Sequence, residues 1–223
     1  MNGDPLRAVF FDVDGVLLDS LPQHLRYCAL KAGDYGLVLR IPDIEDFREA
    51  ISRGLRVSPM LHFFLAVGFP LRFAKRGVAD YEREFVLRCP PAPFPGIEAM
   101  LQRLADAGLA LGLVTSNTRA NVAPALGPTM TVFDPGLVFF FEHGSPDRDK
   151  PWCLNEGARR LDAAPASCVY VGDQPADRAA AAAAGVRFLG VRYGWGLPHA
   201  DPAFVAVDSV AAIADALLAG QPP

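Results

Sequence analysis

The sequence predicts an α/β protein built on a doubly wound parallel sheet, interrupted after its first strand by an α-helical insertion. Three observations carry this. An apolar run from Ala8 ends in Asp12-Val13-Asp14-Gly15; residues 21–88 show only helical spacing; and from Ile97 onward apolar runs of strand length alternate with amphipathic ones. A chain of 223 residues is long enough for a large core carrying a smaller second unit, and at 51% hydrophobic residues it is not a disordered one.

The elements follow in order. The first strand closes on Asp12 and Asp14, and Gly15 lets the backbone turn sharply. Ligands of parallel sheets gather beyond the carboxyl ends of the strands, so both carboxylates stand where chemistry is expected. Segments 21–32, 43–52, 59–67 and 71–88 carry apolar residues every three or four positions and predict four helices. They form a small bundle over residues 21–94, inserted into a main domain of residues 1–20 and 95–223. Ser20 to Pro22 reads as the outgoing linker, and CPPAPFPG (89–96), too proline-rich for a helix, as the return.

Residues 97–107 then predict a helix stopped by Gly108. A strand over 109–114 ends at Thr115, Ser116 and Asn117, standing where Asp12 stands on the first strand. A short helix over 119–126 and a third strand over 137–141 (LVFFF) follow. Lys150 falls in a polar loop before a helix over 152–161. The fourth strand, 168–171, closes on Gly172-Asp173, with Asp177 near the start of the next helix. The alanine run 179–184 reads as a helix packed tightly on the sheet and stopped by Gly185. A fifth strand (186–191) and a last helix (209–219) complete the pattern.

Composition narrows the function. A net charge of -4 gives no reason to expect nucleic acid or an anionic membrane as partner. Its distribution is uneven: residues 21–94 hold 11 Lys and Arg against 8 Asp and Glu, the remainder 10 against 17. The cysteines, Cys28, Cys89, Cys153 and Cys168, show no zinc or disulfide-scaffold spacing. MNGDPLR opens without an apolar leader, and no apolar run approaches the roughly 18 residues of a membrane span. The expectation is a soluble, cytoplasmic protein with reduced thiols.

Strand ends converge at one edge of such a sheet, which should bring together Asp12, Asp14, Thr115, Lys150, Asp173 and Asp177. Carboxylates pressed together stay ionised only with a cation between them, and hard oxygen ligands without histidine or thiolate select Mg²⁺. A carboxylate can attack phosphorus, and the phosphoryl oxygens then need donors such as the Thr115 hydroxyl and the Lys150 ammonium.

DVDGV at Asp12, VTSN at Val114, Lys150-Pro151 and GDQPAD at Gly172, in this order and around a helical insertion, resemble the four motifs of the haloacid dehalogenase superfamily. The resemblance is to its helical-cap branch, phosphoglycolate phosphatase-like, and implies a Rossmann-like core with a helical cap. It further implies that Asp12 is the nucleophile and a metal ligand, and that Asp14 is the general acid and base, binding the metal through its carbonyl. Thr115, Ser116 and Lys150 would hold the phosphoryl group, and Asp173 would bind magnesium. Asp177 would act through water or anchor the lysine. Cys153 stands where the family often has a second proline, and the loop 142–149 departs from the common pattern.

An aspartate at position 14 argues for phosphate esters over dehalogenation or phosphonate cleavage. The implied activity is magnesium-dependent hydrolysis of a small phosphorylated metabolite through an aspartyl phosphate. Two alternatives stay open. His24, 12 residues after Asp12, resembles the hinge histidine of beta-phosphoglucomutase, which transfers phosphoryl groups between sugar positions. A non-catalytic binding protein on the same fold is the other. Arg53 and Arg56, in SRGLRVS, are candidates for gripping the substrate, with His24 and Asn117 beside them.

Overall fold

A computed structural model describes residues 5–143, 147–197 and 205–219. Residues 1–4 of the MNGDPLR opening and residues 144–146 of the loop before Lys150 lie outside the described residues. Strand β1 (Ala8–Phe11) leads through β2 (Leu18–Asp19) to four helices, α1 (Leu21–Asp34), α2 (Ile44–Ser52), α3 (Met60–Val67) and α4 (Leu71–Arg88). The chain returns through β3 (Ala92–Pro93) to α5 (Ile97–Asp106), β4 (Ala110–Val114), α6 (Arg119–Leu126) and β5 (Val138–Phe139). It closes with α7 (Lys150–Arg160), β6 (Cys168–Gly172), α8 (Pro175–Ala184), β7 (Arg187–Val191), β8 (Ala206–Val207) and α9 (Val210–Leu218).

Six strands form one sheet in the order β5-β4-β1-β6-β7-β8, each pairing parallel. Side chains alternate faces along a strand, so β1 serves both covers. Val9 and Phe11 share a cluster with Leu101 of α5 and Ile213 of α9; Ala8 and Phe10 share another with Leu154 of α7 and Ala181 of α8. With β4 and β6 as its neighbours, β1 puts three carboxyl ends side by side, and these carry Asp12, Thr115 and Asp173. The four helices α1–α4 bury a separate aromatic cluster containing Tyr27, Phe63, Phe64, Tyr81 and Phe85, joined by Trp195 from the segment after β7.

Several details differ from the sequence expectation. Leu21 and Pro22 belong to α1 rather than to a linker: proline at the second helical position lacks only an N–H the helix would not use. The two crossings are instead tied by β2 and β3, which pair antiparallel, Leu18 with Pro93 and Asp19 with Ala92. The LVFFF strand shrinks to Val138–Phe139, because the Phe141 N–H donates to the Asn117 carbonyl (2.9 Å) and draws the chain off the sheet. Lys150 is not a loop residue but the first residue of α7; Asp149 caps that helix by accepting from Trp152 N at 3.1 Å. The alanine-rich helix ends as expected, at Gly185 in the left-handed region with φ 68°. All four cysteines are free and buried, and among the described residues no helix is long and apolar enough to cross a membrane.

Candidate active site

Asp12 extends the parallel ladder one residue beyond β1: its N–H donates to Val171 O at 2.9 Å. That bond fixes the backbone and aims the carboxylate off the sheet edge. Its Oδ1 accepts from Val13 N (2.9 Å), and its Oδ2 accepts from Lys150 Nζ (2.9 Å). Because α7 starts at Lys150, the ammonium also reaches Asp177 Oδ1, at 2.7 Å. Asp177 in turn accepts from Asp173 N (3.2 Å) and Gln174 N (3.1 Å) through Oδ2, closing a reciprocal cap at the start of α8. Both of its oxygens are engaged, the arrangement of a lysine anchor.

Asp173 is fully buried. Its Oδ2 accepts from Trp195 N at 2.5 Å, and its Oδ1 has no hydrogen-bond partner among the described residues. Gly15, at φ 80°, and Gly194 let two backbones approach this carboxylate; a β-carbon at either would overlap it. Burial, then the charges of Asp177 and Asp12, push the Asp173 carboxyl well above the usual range. Burial, with Asp177 and Asp14 adding and Lys150 opposing, pushes Asp12 up to about 7. Burial disfavours the Lys150 charge, but Asp12 and Asp177 more than offset it and hold the ammonium well above its usual range.

Ligand oxygens of Asp12, Asp173 and Asp177 lie within 4.8 Å of one another, close enough to share a metal ion. The donor set is all oxygen, one buried Asp173 oxygen lacks a partner, and two carboxyls resist ionisation without a cation. A hard divalent ion fits these residues.

Beside this cluster, Thr115 continues β4, donating its N–H to Phe139 O (3.1 Å), and its Oγ1 accepts from Asn117 N (3.1 Å). Ser116 is exposed and its Oγ accepts from Ser58 Oγ of the helical insertion, at 2.9 Å. Asn117 Nδ2 donates to Asp14 Oδ2 at 2.8 Å, so this residue holds Asp14 directly; the other Asp14 oxygen is buried without a partner among the described residues.

His24 is buried, with Nδ1 2.7 Å from Ser20 O and Nε2 2.9 Å from Tyr81 OH. A carbonyl only accepts, so Nδ1 carries the proton and Tyr81 donates to Nε2. Burial lowers its pKa, against the opposing charge of Asp14, so it stays neutral. Phe63, Tyr81, Phe85 and Trp195 surround the ring at 4.5–5.6 Å, which accounts for the burial.

A cavity of about 990 Å³ opens above Asp12 and Asp14 between the insertion and the sheet edge, and Thr115, Asn117, Lys150 and His24 line it. Arg56 lines it too, although exposed. Arg53 does not: its side chain is 75% exposed and pairs with Glu49 one helical turn back on the surface.

Sequence reasoning missed three residues here. Tyr81 reaches both His24 and, at 3.5 Å, Asn117 Oδ1; on α4 its aromatic ring read as ordinary core spacing. Trp195 places its amide on Asp173 and its ring among the insertion's aromatics, and the tight turns allowed by GVRYGWG were the available signal. Tyr170 lies beneath the site, donating to Val114 O (3.0 Å) with Asp177 Oδ1 at 3.4 Å, and nothing in an apolar strand marked it.

Known proteins give the arrangement a context. A family model described as haloacid dehalogenase-like hydrolase matches residues 6–185. A phosphoglycolate phosphatase of Xanthomonas campestris is 32% identical over 204 residues, covering 88% of this chain and 87% of that protein. An N-acetylmuramic acid 6-phosphate phosphatase of Pseudomonas putida is 29% identical over 205 residues, covering 88% and 87%. A solved haloacid dehalogenase-like family hydrolase from Streptococcus pneumoniae shares the fold, with a TM-score of 0.74 at 20% identity over 94% of this chain and 98% of that one. A buried aspartate cluster at the carboxyl edge of a parallel sheet, matched along most of its length in these ways, means that the chain belongs to the haloacid dehalogenase-like hydrolases.

Proposed function

We propose that this protein is a phosphomonoester hydrolase that acts on a small phosphorylated metabolite with Mg²⁺ and an aspartyl-phosphate intermediate on Asp12. One observation carries the reading: Asp12 sits within 2.9 Å of a lysine that Asp177 anchors, while a second carboxylate, Asp14, is held separately by Asn117 over the same cavity. Two carboxylates in different environments suit two different roles. The phosphatase names of the relatives from Xanthomonas campestris and Pseudomonas putida support the same reaction class.

Asp12 Oδ1 and Asp173 Oδ1, with the Asp14 carbonyl, would hold the metal, which supplies charge neutralisation for the phosphoryl oxygens and for the carboxylates themselves. Lys150 binds the phosphoryl group and keeps the Asp12 carboxylate oriented; Thr115 Oγ1 and the Ser116 amide bind its remaining oxygens. Asp12 attacks phosphorus and the alcohol leaves, taking the proton that Asp14 carries. Asp14, now ionised, draws a proton from water, which attacks the acyl phosphate and frees Asp12 and phosphate. Asn117 positions Asp14 for both transfers.

In this reading residues 1–20 and 95–223 form the catalytic core and residues 21–94 a cap whose seating excludes bulk water. The unpaired, buried cysteines suit the reducing cytoplasm. The test is phosphate release from a panel of small phosphomonoesters with magnesium and then with chelator. Magnesium-dependent release supports the proposal. Isomerisation of beta-glucose 1-phosphate without net release would assign a mutase, and neither activity in folded protein would leave a binding role.

A further inference from the structure

The cavity says more about the alcohol than about the phosphate. Its volume of about 990 Å³ stands at the top of the range of about 300–1,000 Å³ for pockets that enclose drug-sized ligands. It has room for on the order of thirty water molecules, at about 30 Å³ each. This is not the gap left by a raised cap. Ser58 Oγ donates to Ser116 Oγ at 2.9 Å, and Arg48 donates to Arg192 O at 2.9 Å. Ile51 presses on Gly196 so closely that a β-carbon there would overlap it, and the Trp195 ring lies 5.7 Å from Phe63. The insertion is seated on the sheet edge and the space remains.

The lining is mostly apolar. Leu55, Val57 and Met60 contribute from the insertion, with Phe63 beside them, and Phe140 and Phe141 from the segment after β5. Phe141 is 46% exposed, the sort of ring a ligand would cover. Cations suited to a short acid are poorly placed. Lys150 is engaged by Asp12 and Asp177, Arg56 is exposed with Nε donating to Ser58 O (3.1 Å), and Arg148 is exposed with its guanidinium 5.2 Å from the Trp152 ring. An ion pair made by an exposed arginine contributes little selectivity.

Resting on the phosphatase reading above, we propose that this site selects phosphomonoesters of a bulky, largely apolar alcohol, and that a two-carbon acid phosphate is a poor substrate. Leu55, Met60 and Phe141 are the residues that set the preference. They act by taking the alcohol's apolar surface out of water while Asp12 and Lys150 hold the phosphate.

The n-alkyl monophosphates from ethyl to hexyl test this, because their leaving alcohols differ little in basicity and the dependence on length reports the pocket. With wild-type protein and magnesium, kcat/KM should rise roughly three- to fourfold per methylene, or about 100-fold from ethyl to hexyl. Phe141→Ala removes an exposed ring whose loss the fold tolerates, and should make that rise shallower. A flat or falling series with magnesium-dependent release, or phosphoglycolate preferred over hexyl phosphate by about 100-fold, overturns the substrate class and leaves the phosphatase reading standing. An unchanged slope in Phe141→Ala overturns the role of this face. No release from any ester overturns both.

Discussion

Withdrawing magnesium and raising the pH should destabilise this protein, and the site gives the size of the effect. Asp12 is buried, and without a cation its carboxyl is pushed up from 3.8 to about 7, by burial first, with Asp177 and Asp14 adding and Lys150 opposing. A carboxyl with a higher pKa in the folded state binds its proton more tightly there than in the unfolded chain. Its contribution to stability is complete below about pH 4 and is lost as pH rises toward 7. At about 1.4 kcal/mol per pKa unit, a shift of this size corresponds to about 4 kcal/mol. That is a large part of the roughly 5–15 kcal/mol that holds a domain folded. Asp173 is shifted the same way and adds to it. His24 runs opposite: burial lowers its pKa, so its contribution grows as pH rises toward 6.5. Its bonds go to Ser20 and Tyr81, and the charge it feels is that of Asp14, which Asp12→Asn leaves in place, so it contributes alike to wild type and to that variant. On the magnesium reading proposed above, the ion would bind the ionised carboxylates and restore what their ionisation costs. Urea unfolding from about pH 5 to about pH 8 should give curves that nearly meet at the acid end and differ by several kcal/mol at the other. Asp12→Asn is neutral throughout; in chelator it should lose the share of the pH dependence that Asp12 supplies, Asp173 keeping its own, and be more stable than wild type near pH 8. Parallel magnesium and chelator curves, or an Asp12→Asn protein less stable than wild type in chelator at that pH, would refute the cation site.

The same substitution, Asp12→Asn, should lower turnover at least about a thousand-fold with the fold intact, read as phosphate release alongside circular dichroism; retention of most activity would remove the nucleophile assignment. Asn117→Ala frees Asp14 and should reduce kcat by about tenfold or more while KM stays within about twofold. A rise in KM alone would mean that Asn117 binds substrate and does not position the acid. Arg56→Ala should raise KM for an acid-bearing ester by no more than about fivefold, as an exposed pair allows, and leave a neutral aryl phosphate unchanged.

The sequence was most legible where one local rule decided the outcome. An apolar run ending in two aspartates and a glycine is a buried strand and its turn, and the same rule found Thr115 and Asp173 at the ends of their strands. Helix periodicity located α4 to the residue, and the short helix expected over 119–126 is α6. What it did not reveal depends on partners distant in the chain. Lys150 looked like a loop cation because Asp149 as a cap competes with several polar neighbours in DRDK, and only the helix start makes it face Asp12, 138 residues earlier. The β2–β3 pair is two residues long on each side and leaves no alternating pattern to read. Asn117 lines the cavity, as a substrate contact should, but its bond to Asp14 was not legible because it spans 103 residues. Arg53 and Arg56 share one motif, yet helix geometry turns the first outward to Glu49 and leaves the second at the cavity.

The placing of the helical insertion divides the site into a part that touches it and a part that does not. Lys150 bonds both Asp12 and Asp177, and Asp12 also bonds Val171 O of β6 and Val13 N, so none of these partners belongs to the helices of the insertion. Asp14 and Asp173 are different. Asp14 is held by Asn117, whose carbonyl oxygen has Tyr81 of α4 within 3.5 Å, and Asp173 is held by the amide of Trp195, whose ring packs in the aromatic cluster of the insertion. That Asn117 oxygen also accepts from Thr118 N at 2.8 Å and Asn121 Nδ2 at 3.3 Å, both outside the helical insertion, so Trp195 is the firmer tie between the insertion and the sheet edge. On the reading proposed above, a movement of the helices would bear first on Asp173, through Trp195, and least on Asp12, whose partners all lie outside the insertion.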